Sequence, residues 1–186
     1  MTSLIRISFC LALACSLQAQ SIERISQSES GLGANGASLK PSISSDARYV
    51  AFESLASNLI AGDANEFSDI FVHDRLTGLI ICVSMNSIGE MSNGHSHRPV
   101  LSADGNYISF MSYANNLVPG DDNGASDVFV YDLIAQEIFC VSKSSTGVLG
   151  NSSSRYPSIS ADGRYVAFDS FASNLVSGDR GYDFDV

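Results

Sequence analysis

Tryptophan is absent from this chain and positive charge is scarce, with 10 Lys and Arg against 20 Asp and Glu and a formal net charge of −10. An acidic surface repels phosphate backbones and anionic headgroups, so nucleic acid is excluded as an expected partner. Charged residues are only 16% of the sequence and apolar ones 45%, enough burial to offset chain entropy, which excludes general disorder. No stretch shows a sustained helical period, and with 15 Gly and many Ser and Asn the chain reads as β-rich with frequent turns. Its 186 residues suit one ordinary domain and exclude a multidomain enzyme.

Long apolar runs are also missing. The only marked one, Ile7 to Leu17, follows a short segment with a single positive charge at Arg6 and is too short to cross a bilayer as a helix. Small residues at Ala14, Ser16 and Ala19 allow cleavage near residue 19, and every acidic residue lies beyond that point. Residues 1–19 therefore read as a secretory signal peptide, with the periplasm or the exterior as destination and no membrane span in the mature chain. A second reading takes Ala12-Leu13-Ala14-Cys15 as a lipoprotein box with Cys15 lipidated. In either case only Cys82 and Cys140 remain in the mature chain, too few for a disulfide scaffold.

What is present is a repeat. Lys40-Pro41-Ser42-Ile43-Ser44-Ser45-Asp46 recurs as Arg98-Pro99-Val100-Leu101-Ser102-Ala103-Asp104 and as Tyr156-Pro157-Ser158-Ile159-Ser160-Ala161-Asp162, each copy 58 residues after the last. The same step links Phe52, Phe110 and Phe168, then Asn58, Asn116 and Asn174, and finally Asp69, Asp127 and Asp185. Each unit carries four strand signals: Pro41 to Ser44, Tyr49 to Phe52 after an Asp turn, Ile70 to His73, and Leu79 to Ser84 after Thr77-Gly78. Apolar groups on both strand faces require cover on both sides. Four antiparallel strands per repeat, buried on both faces, describe an all-β fold of β-propeller blades, and a β-helix fits less well because its rungs are shorter. Blades are expected at 40–84 and 98–142, with an incomplete third at 156–186. Residues 20–27, one period before Leu79 to Ser84, are expected to form an isolated fourth strand.

The segment Pro157-Ser158-Ile159-Ser160-Ala161-Asp162-Gly163-Arg164-Tyr165-Val166-Ala167-Phe168, with Ser126-Asp127-Val128-Phe129-Val130-Tyr131-Asp132, resembles the TolB-like β-propeller repeat, a WD-like repeat of bacterial envelope and secreted proteins. This sequence differs from that pattern in having Ile43, Leu101 and Ile159 where an aromatic is common, and Ser45, Ala103 and Ala161 where Pro is common. The resemblance implies a propeller fold. It also implies an alternative role, because similar propellers gate peptidase domains: this chain would be the propeller portion of a larger hydrolase. Two full blades do not close a ring of about four to eight. Three explanations are open: a longer parent chain, closure with copies of itself through open blade edges, or a truncated gene product.

Among candidate functional residues, the loop carrying Asp121, Asn123 and Asp127, echoed by Asp63, Asn65 and Asp69, offers hard oxygen donors of the kind Ca²⁺ takes. The competing reading makes the same residues turn formers that bond to nearby backbone. No other cofactor is expected. His95 and His97 alternate as a metal pair would, but their counterparts Ala37, Leu39, Ser153 and Arg155 supply no ligand pair, so they read as a solvated loop, and His73 reads as a blade residue. Cys82 and Cys140, on the outermost strands of adjacent blades, are expected to be too far apart to bridge. No Gly-x-Ser-x-Gly, His-Glu-x-x-His or phosphate-binding glycine loop is present, so a noncatalytic module binding protein or glycan is expected.

Overall fold

The computed structural model describes residues 22–179, 183, 185 and 186, so the expected signal peptide, with Cys10 and Cys15, lies outside the described residues. All ten elements are strands. They are β1 Ser38–Ile43, β2 Tyr49–Ser54, β3 Asp69–Asp74, β4 Ile80–Cys82, β5 Ser96–Leu101, β6 Tyr107–Ser112, β7 Asp127–Asp132, β8 Glu137–Cys140, β9 Ser154–Ile159 and β10 Val166–Ser170. They form two four-stranded antiparallel sheets, β1-β2-β3-β4 and β5-β6-β7-β8, and a two-stranded sheet of β9 and β10. The described chain is thus two complete propeller blades and the inner half of a third.

Register repeats with the sequence. Tyr49 pairs Asp74 as Tyr107 pairs Asp132, and Phe52 opposes Phe71 as Phe110 opposes Phe129, with ring centroids at 5.9 and 5.8 Å. Successive side chains take opposite faces. In β2, Ala51 joins a cluster with Leu101, Ile108 and Phe110 between the two complete blades, whereas Phe52 joins Phe71, Leu59 and Ile80 on the other side. That second cluster is covered in part by Ile25 and Ala34. Among the first strands, β5 touches both β1 and β9, which places these strands on the inner side of the blades. Backbone bonds join the blades in equivalent places: Ser45 N–H to Ala103 C=O at 2.8 Å, Ala103 N–H to Ala161 C=O at 3.0 Å, and Ser96 and Ser154 N–H to Ser68 and Ser126 C=O, both at 2.7 Å.

The boundaries differ from the sequence expectation in three places. The first strand of each blade begins three residues before its proline, because a bulge between Leu39 and Ser42, and between His97 and Val100, removes Pro41 and Pro99 from a ladder to which they cannot donate. The residue ahead of each proline turns left-handed, with φ of 51° at Lys40, 57° at Arg98 and 54° at Tyr156. The fourth strand is shorter than Leu79 to Ser84, since the Ser84 hydroxyl takes the Ile70 N–H in place of a backbone carbonyl. Residues 22–26 form no strand, although Ile25 packs on the first blade and the Gln27–Gly33 bridge recurs at Met85–Met91 and Lys143–Leu149.

Candidate functional site

The Asp and Asn positions that recur in the sequence come together as hydrogen-bonded ties. Asp127, fully buried at the start of β7, accepts the Ser142 hydroxyl on Oδ1 at 2.6 Å and Asn123 Nδ2 on Oδ2 at 2.7 Å. The same amide donates to Gly150 C=O at 2.9 Å, while Asn123 Oδ1 accepts the Ala125 N–H. Asp69 repeats the scheme with Ser84, Ser92 and Asn65. Burial raises both carboxyls above their ordinary range, and the donated hydrogen bonds oppose the shift. Asp121 is buried with Oδ1 unpartnered, and burial together with the neighbouring Asp127 charge pushes it up to about 6. Asp63 is raised by burial and then by Asp69. Among the described residues no three His, Cys, Asp or Glu side chains converge on one point.

Asn58, Asn116 and Asn174 serve a similar purpose. Each donates through Nδ2 to a carbonyl, of Gly33, Met91 and Leu149 respectively, and accepts an N–H from Asn35, Asn93 and Asn151. Cys82 and Cys140 are separate, buried free thiols, each 3.3 Å from the hydroxyl two residues on. Burial pushes the Cys140 thiol up to about 11 and raises Cys82 as well, which makes both poor nucleophiles. His73 is buried within β3, as a blade residue.

Of the histidine pair, His95 lies exposed in the loop as expected, whereas His97 belongs to β5. The rings of His95 and His97 stack at 5.7 Å, but His95 Nδ1 accepts the Ser68 N–H and His97 faces Glu53 at 3.5 Å. Together with Ala37, Leu39 and Leu55 they line a cavity of about 210 Å³ between the first two blades. A second cavity of about 280 Å³ shares Glu53 and His97 and extends to Lys40, Arg98, Tyr113, Arg155 and Tyr156. Both lie where the first strands begin and the second strands end. Lys40, Arg98, Tyr113, Arg155 and Tyr156 belong to no sequence motif of a binding site, and their signal is that the residue changes between copies. Positions 39, 97 and 155 are Leu, His and Arg; positions 40, 98 and 156 are Lys, Arg and Tyr; positions 55, 113 and 171 are Leu, Tyr and Phe. A larger cleft of about 420 Å³ lies on the outer side, between β4 and β8.

No protein-family profile and no curated protein matches the chain. Solved structures similar to it include TolB from Acinetobacter baumannii, at 18% identity and TM-score 0.45 over 76% of this chain and 28% of that one. The putative TolB from Agrobacterium tumefaciens is similar at 17% identity and TM-score 0.47, over 77% and 41% of the two chains. The β-propeller domain of the Trilobed protease from Pyrococcus furiosus is similar at 14% identity and TM-score 0.47, over 73% and 35%. This chain spans less than half the length of each, and likeness at such identity concerns the fold alone. Sheet order, the 58-residue register and the resemblance of the repeat give the described chain a TolB-like β-propeller fold.

Proposed function

We propose that the chain is an exported, noncatalytic propeller module that binds a protein or glycan at the mouth of these two cavities. The observation that carries this reading is the contrast between two sets of positions within one repeat. Positions that hold the frame are the same in every copy: Pro41, Pro99 and Pro157; Asp46, Asp104 and Asp162; Asn58, Asn116 and Asn174. Several positions that line the two cavities instead change chemical type between copies: positions 39, 97 and 155 are Leu, His and Arg, and positions 53, 111 and 169 are Glu, Met and Asp. Folding alone asks the same of each blade, so a surface where the copies diverge fits recognition by an asymmetric ligand. The polar side chains with catalytic potential, Asp69, Asp127, Ser84 and Ser142, are consumed by buried bonds that hold the blades. Among the described residues no helix is long and apolar enough to cross a membrane. Export rests on the signal-like segment at residues 1–19.

Arrays of immobilised polysaccharides and peptides, probed with the purified chain and with Tyr113→Ala, test the reading. Binding that weakens in the variant is the expected result. Binding indifferent to substitutions at the mouth, or turnover of chromogenic ester and peptide substrates, overturns it.

A further inference from the structure

We infer that the cavity bounded by Lys40, Arg98 and Arg155 is a subsite for a carboxylated sugar, a uronate unit of an acidic saccharide. The inference rests on the binding-module reading and names the ligand chemistry at one end of the mouth. Three of the 10 Lys and Arg residues of a chain with net charge −10 gather around this one cavity, each from a different blade. Among the described residues the one acid lining it is Glu53, and that carboxylate already accepts the Arg98 backbone N–H at 2.8 Å and faces His97 at 3.5 Å. The ion pairs among the described residues involve Arg48, Arg75 and His97, so neither the Lys40 ammonium nor the Arg98 guanidinium has a carboxylate partner. Placing the Lys40 and Arg98 charges on one cavity is unfavourable, and an anion between these two reverses the sign of that energy.

The geometry favours a planar anion with a ring attached. The left-handed residues ahead of Pro41 and Pro99 put Lys40 and Arg98 at the same point of successive bulges, and strain of this kind persists where the surroundings fix it. The Arg98 guanidinium lies 4.3 Å from the Tyr156 ring centroid, and Arg155 lies 5.7 Å from it and 5.2 Å from Phe171. Over the Tyr156 ring, the Arg98 guanidinium keeps its in-plane N–H groups for a carboxylate fork. Tyr113, 52% exposed, supplies a flat apolar face on the same wall. At about 280 Å³ the cavity is near the lower limit for ligand pockets, a size for one sugar ring rather than several peptide residues.

Isothermal titration of the full chain with trigalacturonate, with its methyl ester, and with trialanine as free acid tests the inference. Binding of the acid, loss of binding on esterification and at least about tenfold weakening in Lys40→Met are expected, with Arg98→Lys weakened because it keeps charge but loses the fork. Lys40 is exposed and makes no side-chain hydrogen bond among the described residues, so an unchanged thermal midpoint in Lys40→Met will show that the fold is intact. Equal binding of acid and ester, binding of the peptide acid alone, indifference to Lys40→Met, or no binding at millimolar trigalacturonate overturns the inference. Array binding that Tyr113→Ala abolishes and Lys40→Met leaves unchanged would overturn the uronate assignment while sparing the binding-module reading.

Discussion

Asp127 has no solvent contact, yet each of its oxygens has a donor, and this makes it a structural charge. Asp127→Ala strands the Ser142 hydroxyl hydrogen and one Asn123 N–H in a buried site. We predict a loss of about 2–3 kcal/mol in urea unfolding, with a similar loss for Asp69→Ala. Asp121 behaves differently, because its Oδ1 has no donor and Asp127 is its neighbour. Its folded-state value of about 6 lies above the ordinary 3.8, so between those values the folded chain holds the proton more tightly than the unfolded one. Stability contributed by Asp121 is therefore full below pH 3.8, declines as pH rises through about 6, and is flat above it. Asp121→Asn is predicted to be more stable than the parent by about 1–2 kcal/mol at about pH 8, with the difference vanishing near pH 4, as read by urea titration at both values. Asp74 has the opposite sign: Arg48 holds it down to about 2, and its contribution is lost only as pH falls below 3.8. Recurrence in the sequence pointed to Asp69 and Asp127, because a repeat shows its frame directly. The direction of the Asn123 amide was not legible, since it depends on Gly150, which belongs to the loop leading into the next blade.

At the scale of elements, the hairpin turn between the first and second strands also serves the blade before it. Gly105 sits at φ 74°, and a methyl group there would lie 2.7 Å from the Tyr49 ring of the first blade. Gly163 stands in the same relation to Tyr107. The glycines are thus needed for the turn and for the approach of a neighbour's tyrosine. Gly105→Ala is predicted to cost about 2–4 kcal/mol by urea unfolding, the sum of left-handed strain and overpacking. Tyr49→Leu in the same background should recover part of the loss by clearing the ring. Gly147→Ala, also left-handed but with nothing within 4 Å, should lose only the strain. The Asp-Gly turn was legible as a hairpin signal, whereas the tyrosine beneath it was not. The bulges were hidden for a related reason: a residue before proline is ordinarily extended, and only pairing on both sides of Pro41 and Pro99 forces Lys40 and Arg98 to positive φ.

At the scale of the molecule, blade number and order followed from the repeat, but the mouth did not. Its residues are drawn from positions 40 to 156 and are joined only when β5 packs against β1 and β9. A reading built on what recurs passes over positions that differ between copies, and several of those line the cavities. The same logic bears on whether calcium holds the blades together. In the expected calcium loop, Asn123 presents its amide hydrogens to Asp127 and keeps its oxygen for the Ala125 N–H, while Ser142 occupies the other Asp127 oxygen. A cation would have to displace these bonds to reach the six to eight oxygens that Ca²⁺ takes, and the buried Asp121 Oδ1 is the loop oxygen that lacks a partner among the described residues. Hydrogen bonds are therefore sufficient to join each loop to the following one. The thermal midpoint is predicted to be the same in excess calcium chloride and in excess chelator. A rise in calcium that Asp121→Asn abolishes would instead make these loops ion sites, with Asn123 turned to offer its oxygen.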